Sequence, residues 1–190
     1  MELEEAIRFR RSIRKFKTQS VPKEILQKTI ETAMWAPSAM NTQPWYFTVL
    51  TGKEKDKLIE VAGKSFEHLQ YRLKELFKEK MIQFISEYFK NFGNAPVIIV
   101  VFTDVLKEEV YQIGAIESVS AAIQNLLLCA YAEGLGTCWM TGPLWVENEI
   151  KNHLRVNDGK KLVALIAIGY PDQTPPTPPR KEREIKWLGF

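Results

Sequence analysis

The fold of this chain is set by one apolar run, Ala95-Pro96-Val97-Ile98-Ile99-Val100-Val101-Phe102. A continuous apolar run of this length is typical of a strand buried on both faces, in the middle of a sheet with helices on each side. A second run of the same kind is Leu162-Val163-Ala164-Leu165-Ile166-Ala167-Ile168-Gly169-Tyr170. Shorter β-prone stretches at residues 46–50 and at the start of 137–143 predict further strands. The sequence therefore predicts one α+β domain.

Helices are predicted between these strands. Apolar residues recur at helical spacing in residues 2–9, about 20–35, 53–92 and 146–154. Residues 115–133 are apolar on nearly every face, which is typical of a helix buried centrally or in a subunit interface, and Gly134 is expected to cap it in the left-handed conformation. The apolar residues of the 53–92 segment either pack in a core or interface, or form a mobile helical cover over a site.

The overall composition and charge of the chain limit which classes of protein it can belong to. The chain has 190 residues and a net charge of only +3, which counts against a dedicated nucleic-acid binder with a broad basic face. No uninterrupted apolar run approaches the roughly 20 residues of a membrane-spanning helix, and the acidic N-terminus has no apolar signal core. Cys129 and Cys138 lie in apolar surroundings without CxxC spacing, so we expect buried free thiols and a cytoplasmic protein. His68 and His153 have no metal-ligand spacing, so no metal site is predicted.

A local basic cluster interrupts this ordinary composition at Arg8-Phe9-Arg10-Arg11-Ser12-Ile13-Arg14-Lys15-Phe16. Six cationic side chains fall between Arg8 and Lys17, and no acid lies among them. Such a cluster either is a solvated or salt-bridged surface or binds an anion, for which nucleic acid, a membrane surface and a phosphate are the candidates.

A second unusual stretch is the loop Pro37-Ser38-Ala39-Met40-Asn41-Thr42-Gln43-Pro44-Trp45. Two prolines bracket amide, hydroxyl and bulky apolar residues. This mixture suits a flat ligand that needs both hydrogen bonds and an apolar surface to pack against. It also suits a structural turn with Trp45 in the core.

Four stretches in this order resemble the nitroreductase family of FMN flavoenzymes: RRSIR at 10–14, PSAMNTQPW at 37–45, GLGTCWMTG at 134–142 and PPRK at 178–181. The resemblance implies an α+β fold with a central, mostly antiparallel sheet flanked by helices. It also implies an intertwined homodimer with FMN at the subunit interface. Residues 1–170 would form the FMN-binding domain. The Pro-rich arm, residues 171–190, would pack on the partner subunit through Trp187 and Phe190.

The same resemblance assigns the phosphate side of the FMN site. Arg10 and Ser12 would hold the phosphate, with Arg11 nearby. Arg180 would reach it from the arm, helped by Lys181 or Arg183. This is chemically sensible because each charge-assisted hydrogen bond to a phosphate contributes about 1.5–3 kcal/mol.

The flavin ring is assigned in the same way. Arg14 would reach the N1/C2 edge. The ring would be lined, from the partner chain, by Pro37, Ser38, Ala39, Met40, Asn41 and Gln43, and along its edge by Trp139, Met140, Thr141 and Gly142. A backbone N–H of Thr141 or Gly142 would bond to N5. Many relatives have an acidic residue where this chain has Thr141. The resemblance makes Arg14, Thr141 and Gly142 the catalytic residues.

The activity implied is a ping-pong transfer of two electrons from NAD(P)H, through flavin N5, to an electron-poor acceptor such as a nitroaromatic compound or a quinone. Small-molecule acceptors are the expected partners, with neither nucleic acid nor a membrane. The alternatives are dehalogenation or flavin fragmentation on the same fold, a non-catalytic flavin binder, and a protein that binds nucleic acid or an anionic surface.

Overall fold

The computed structural model describes residues 2–189, so the prediction for Phe190 lies outside the described residues. Its sheet has four antiparallel strands in the order β1-β2-β4-β3. They are β1 (Tyr46–Thr51), β2 (Val97–Asp104), β3 (Gly136–Met140) and β4 (Lys160–Gly169). The predicted α+β class with an antiparallel sheet is confirmed.

Both apolar runs occupy the middle of the sheet, as predicted. Ile166 of β4 lies opposite Ile99 of β2 on one side and opposite Trp139 of β3 on the other. Every residue of β2 before Asp104 is buried. The two runs are apolar without alternation because helices cover both faces of the sheet.

Within residues 2–189, seven α-helices surround the sheet: α1 (Leu3–Phe9), α2 (Lys23–Ala33), α3 (Gly52–Gly63), α4 (Ser65–Leu76), α5 (Glu79–Asn91), α6 (Glu109–Ala132) and α7 (Glu147–Leu154). One face of the sheet packs against α2 and α6, and the opposite face packs against α3, α5 and α7. Neighbouring residues of β2, such as Ile98 and Ile99, enter different cores because side chains alternate along a strand.

The 53–92 segment folds into three helices rather than one continuous element. The first break follows Gly63, where a β-carbon would lie 2.6 Å from the carbonyl oxygen of Phe89. The backbone of α3 therefore packs closely on α5 at this point, and Lys64 alone separates α3 from α4. The chain changes direction again at Phe77, whose backbone is extended. No proline marks either break in the sequence.

Helix α6 begins at Glu109, six residues before the predicted start at 115. The side chain of Gln112 accepts a hydrogen bond from the Leu106 N–H at 3.0 Å and donates to the Asp104 carbonyl at 3.2 Å, which ties this first turn to the end of β2. With 24 residues, α6 is long and apolar enough to cross a membrane by length and composition alone. Eight of its residues are buried inside the chain, a property it shares with core helices of soluble proteins.

The chain after β4 has no helix or strand between Asp172 and Gly189 among the described residues. Its first part returns over the N-terminal segment, where Pro171 forms a β-bridge with Phe16. Thr177 then accepts a hydrogen bond from the guanidinium of Arg11. The division at residue 170 and the packing of the arm on a partner remain predictions. The two thiols are free as expected, but Cys129 is only half-buried, in contrast to Cys138.

Candidate functional site

The basic segment is held by its backbone in a fixed position along the edge of the sheet. The N–H of Ile13 donates to the Thr137 carbonyl of β3 at 2.8 Å, and the N–H of Phe16 donates to the Gly93 carbonyl at 2.9 Å. The side chains of Ile13 and Phe16 are buried in the core. These anchors leave the polar residues between and before them on the outer side of the segment.

The cations of this segment divide into two sets. Arg8 pairs with Glu4 at 2.7 Å and Lys15 pairs with Asp172 at 2.8 Å, both at the exposed surface. The surface interpretation of the cluster therefore holds for these two residues. Arg10 and Arg11 are half-buried, as is Ser12 between Arg11 and the Ile13 anchor. Burying cationic groups without a carboxylate partner is unfavourable unless an anion or a hydrogen-bond acceptor is supplied.

Arg10 is the electrostatic centre of the second set. Burial lowers its pKa, and the nearby positive charges of Arg11 and then Arg180 lower it further. The structure thus brings three predicted phosphate ligands together from residues that are 170 positions apart in the sequence. This donor set fits a phosphate, since guanidinium groups bind phosphate oxygens with short, charge-assisted hydrogen bonds. Lys181 lies next to Arg180 in the exposed arm.

The guanidinium of Arg11 makes hydrogen bonds within the chain, which distinguishes it from Arg10. Its guanidinium donates to the backbone carbonyls of Arg8 and Arg10, each at 2.7 Å, and also to the Thr177 hydroxyl. These bonds fasten the arm to the basic segment. We therefore expect Arg11 to position Arg180 rather than to be the main phosphate ligand.

Arg14 lies beside the strand that leads to the second part of the site. Its side chain is exposed, and its charge acts on the buried Cys138 of β3 and on Tyr88 of α5. Burial raises the pKa of the Cys138 thiol and raises that of the Tyr88 phenol well above its ordinary value, and the positive charge of Arg14 opposes both shifts. The Tyr88 hydroxyl donates to Met140 Sδ at 3.2 Å. Arg14 and the end of β3 are therefore neighbours, as a flavin edge would require.

The end of β3 turns sharply at Thr141 into a 3₁₀ turn, Gly142–Val146. A β-carbon on Gly142 would lie 2.8 Å from Leu69 Cδ1 and 3.0 Å from Phe89 Cζ, so this position suits glycine. Thr141 is exposed, whereas the Met140 side chain is buried. Thr141 therefore lies at the surface where β3 ends, and Gly142 is half-buried against Leu69 and Phe89.

Trp139 points away from this side of the sheet. Its side chain packs with the core of α2 and α6, whereas Cys138 and Met140 face the opposite core. Its indole N–H is buried, and none of the described residues accepts a hydrogen bond from it. Of the predicted edge residues, Trp139 can therefore line a ligand on the Arg14 side only through its backbone.

The loop at 37–43 is held in an unusual conformation. The Ala39 N–H donates to Ser118 Oγ of α6 at 3.0 Å, and the Gln43 N–H donates to Ser38 Oγ at 3.0 Å. Met40, Asn41 and Gln43 have positive φ angles of 52°, 55° and 49°. Residues other than glycine rarely adopt this conformation, which is concentrated at ligand-binding sites.

The structure bears out the core position of Trp45, whereas ligand binding by the rest of the loop stays a prediction. Trp45 is 8% exposed and belongs to the core, whereas Met40 is 78% exposed. Pro37, Ala39, Asn41 and Gln43 are also exposed, and Ser38 is half-buried. The loop thus displays a hydrophobic side chain and amides at the surface while Trp45 anchors its end.

One chain does not bring the loop to the arginines. The loop contacts α6 at Ser118, whereas Arg11 and Ile13 line a cavity with Tyr131 at the other end of the helix. Thirteen residues of helix separate these points, which corresponds to about 20 Å at 1.5 Å per residue. The predicted site residues therefore fall into two separate groups within one chain.

Two side chains beside the turn were missed by the sequence predictions. The imidazole of His68 in α4 stacks on the indole of Trp145, with ring centroids 5.5 Å apart and planes 5° from parallel. The spacing of residues in α4 did not indicate this contact, because the stack depends on how α4 packs over the 3₁₀ turn. Among the described residues, no group of His, Cys, Asp and Glu is placed to hold a metal ion.

The site can now be compared with known proteins. The nitroreductase family profile matches residues 7–170. The chain is 32% identical over 175 residues to YfhC of Bacillus subtilis, named as an NAD(P)H nitroreductase, which covers 91% of this chain and 86% of that protein. It is 31% identical over 186 residues to an iodotyrosine deiodinase of Thermotoga neapolitana, which covers 95% of each. A solved iodotyrosine deiodinase bound to FMN and 3-iodo-L-tyrosine superposes with a TM-score of 0.77 at 26% identity, over 100% of both chains.

The family profile and these relatives span nearly the whole chain, including the basic segment, the 37–45 loop and the turn after β3. The structural likeness extends over the same length. The chain therefore belongs to the nitroreductase family and has its FMN-dependent oxidoreductase fold.

Proposed function

We propose that this protein binds FMN and transfers two electrons from NAD(P)H to an electron-poor acceptor such as a nitroaromatic compound or a quinone. The observation that carries the proposal is the grouping of positive charge at Arg10, where the charges of Arg11 and Arg180 act and where the Arg11–Thr177 hydrogen bond holds the arm, because clustered guanidinium groups favour an anion and suit the FMN phosphate. FMN, when bound, supplies the hydride chemistry at N5, and the residues of this chain supply position and charge.

Each residue then has a defined task. Arg10, Ser12 and Arg180 bind the phosphate, and Arg11 holds the arm in place. Arg14 places a positive charge at the N1/C2 edge of the ring, where the reduced ring carries negative charge. A backbone N–H of Thr141 or Gly142 donates a hydrogen bond toward N5.

The active unit is a homodimer in this proposal. A two-fold axis near the middle of α6 would place the loop end of one copy beside the arginine end of the other, because the two helices would run antiparallel. Pro37, Ser38, Ala39, Met40, Asn41 and Gln43 would then line the ring bound mainly by the partner. This arrangement explains why one chain carries the two halves of the site about 20 Å apart.

The arm of the second copy would complete the dimer. A groove of about 800 Å³ lies between α2 and the outer edge of β1, lined by apolar residues that include Leu26, Ile30 and Val49. Ile185 and Leu188 of the arm are 68% and 73% exposed. Docking the partner's arm there would cover both apolar surfaces. The free thiols agree with a reducing cytoplasm as the site of action.

The visible spectrum of the purified protein tests the proposal. We expect a flavin spectrum, at isolation or after addition of FMN and gel filtration, that bleaches on anaerobic addition of NADH or NADPH. Restoration of the spectrum by menadione would complete the cycle. A colourless protein that cannot take up FMN would overturn it.

A second candidate, reductive dehalogenation, is favoured by the relative from Thermotoga neapolitana, which is an iodotyrosine deiodinase and matches 95% of this chain. In that reaction two electrons and a proton convert a carbon–iodine bond into a carbon–hydrogen bond and iodide. Anaerobic incubation of the FMN-loaded, dithionite-reduced protein with 3-iodo-L-tyrosine would release iodide if this activity is present. Turnover of nitroaromatics without iodide release would leave only the first candidate.

A further inference from the structure

The stack of His68 on Trp145 is not a core contact. Trp145 is 62% exposed, and His68 is also exposed. Packing near the turn is supplied instead by Leu69 of α4 and Phe89 of α5, which lie against Gly142. The two stacked rings lie at the surface, and their outer faces and edges remain open to small molecules.

This surface lies next to the proposed flavin edge. Trp145 follows Gly142 by three residues within the same 3₁₀ turn, a distance of about 6 Å at 2.0 Å per residue. His68 immediately precedes Leu69, which packs on Gly142. The stack is thus fixed from two separate elements, α4 and the turn, beside the backbone that would contact N5.

The chemistry of the two stacked rings favours one class of ligand. The electron-rich face of an indole favours stacking with a planar, electron-poor ring. An imidazole N–H can donate a hydrogen bond to an oxygen of a nitro group or a quinone, neither of which has a donor of its own. A tryptophan and a histidine that are already parallel offer both interactions with little loss of side-chain freedom.

We propose that His68 and Trp145 bind the electron acceptor, and that they favour planar, electron-poor aromatic acceptors that carry a hydrogen-bond-accepting oxygen. This inference rests on the proposed function, because it needs FMN bound beside Gly142. It gives the α4 part of the 53–92 segment a role in acceptor choice, in addition to its packing.

The first measurement needs no turnover. The FMN-loaded, oxidised protein is titrated with 4-nitrobenzamide in the absence of NAD(P)H, and the dissociation constant is read from the perturbed flavin absorbance. We expect Trp145→Leu and His68→Ala each to raise the dissociation constant about three- to tenfold, the size of one aromatic contact. His68→Phe keeps a ring for stacking and should lose only the share of affinity that depends on the donor. His153→Ala, which changes the other histidine, is the matched control and should leave the constant unchanged.

The second measurement separates acceptor binding from electron transfer in general. With menadione as acceptor, the His68 and Trp145 variants should raise the KM for menadione more than the KM for ferricyanide, which has no planar ring. Variants that bind FMN but show an unchanged dissociation constant and an unchanged KM would overturn this inference alone. A wild-type protein that does not bind FMN would overturn the proposed function and this inference with it.

Discussion

Gly93 lies directly against the backbone of Arg14. A β-carbon on Gly93, whose φ is +66°, would come within 2.3 Å of the Arg14 carbonyl oxygen. The Gly93 carbonyl also accepts the backbone hydrogen bond of Phe16 at 2.9 Å. The turn after α5 therefore holds the basic segment at the edge of the sheet. The close contact between residue 93 and the Arg14 backbone is possible because glycine has no side chain.

Gly93→Ala should destabilise the protein and displace Arg14. A left-handed backbone at alanine costs about 1–2 kcal/mol, and overpacking against fixed backbone adds about 1–3 kcal/mol. Urea denaturation measures the loss in the free energy of unfolding. Gly134→Ala is the control, because Gly134 has a φ of +75° with no atom within 4 Å of its β-carbon position, so it isolates the backbone cost. Equal losses in the two variants would contradict the close packing of Gly93 on Arg14.

Arg10→Gln should weaken the binding of FMN more than that of riboflavin, which lacks the phosphate. Loss of one charge-assisted hydrogen bond, about 1.5–3 kcal/mol, corresponds to a roughly 10- to 150-fold increase in the FMN dissociation constant. Fluorescence titration with both flavins measures the difference. Arg8→Gln removes an arginine that pairs with Glu4 at the surface and should change neither constant. An equal loss for riboflavin would place Arg10 away from the phosphate.

Arg14→Ala should leave the dimer intact but slow flavin reduction by NAD(P)H and lower the flavin potential. The positive charge stabilises the reduced ring, so each 1.4 kcal/mol of lost stabilisation lowers the two-electron potential by about 30 mV. Spectroelectrochemical titration measures it. Lys15→Ala, which removes a cation paired with Asp172, serves as the control. An unchanged potential in Arg14→Ala would exclude this role.

Two defective variants should rescue each other if the site is shared between subunits. Arg10→Gln impairs the arginine end, and Asn41→Ala impairs the loop end. A mixed dimer of the two chains has one site with both residues intact and one site with both residues changed. We therefore expect co-expressed chains to regain tight FMN sites that neither homodimer has. Binding equal to the average of the two homodimers would show that each chain builds its own site.

Because the Cys138 thiol is buried, the free energy of unfolding should decrease at alkaline pH. Burial raises its pKa in the folded state, so the folded protein retains a proton that the unfolded chain releases above about pH 8.5. The free energy of unfolding is then full below that pH and decreases as pH rises through the folded pKa. Tyr88, whose pKa is raised in the same way, adds to the decrease above about pH 10.

Urea denaturation between pH 7 and pH 10 would measure this slope. Cys138→Ala should reduce the slope, and Cys129→Ala, which changes a half-buried thiol, should retain it. Identical slopes in the two variants would show that Cys138 does not contribute.

The sequence predicted the elements whose signal is local. The continuous apolar runs identified β2 and β4 as central strands, because a strand buried on both faces has no polar alternation. The order of four short motifs identified the family. The breaks in the 53–92 segment were not predicted, because no proline marks them and the close contact of Gly63 with the backbone of Phe89 on α5 is a tertiary contact.

The candidate site likewise has features that the sequence indicated and features that only the tertiary structure decided. Residue type alone marked the basic cluster from Arg8 to Lys17 as a possible anion site, since charge belongs to the side chain itself. The family resemblance, and not residue type, selected Arg10, Ser12 and Arg14 within it. Tertiary structure decided that Lys15 pairs with Asp172 at the surface, that the charge of Arg180 acts on Arg10, and that His68 stacks on Trp145. It also placed the 37–43 loop and the arginines at opposite ends of α6. Those relations join residues far apart in the sequence, and they are set by which surfaces pack together rather than by any local pattern.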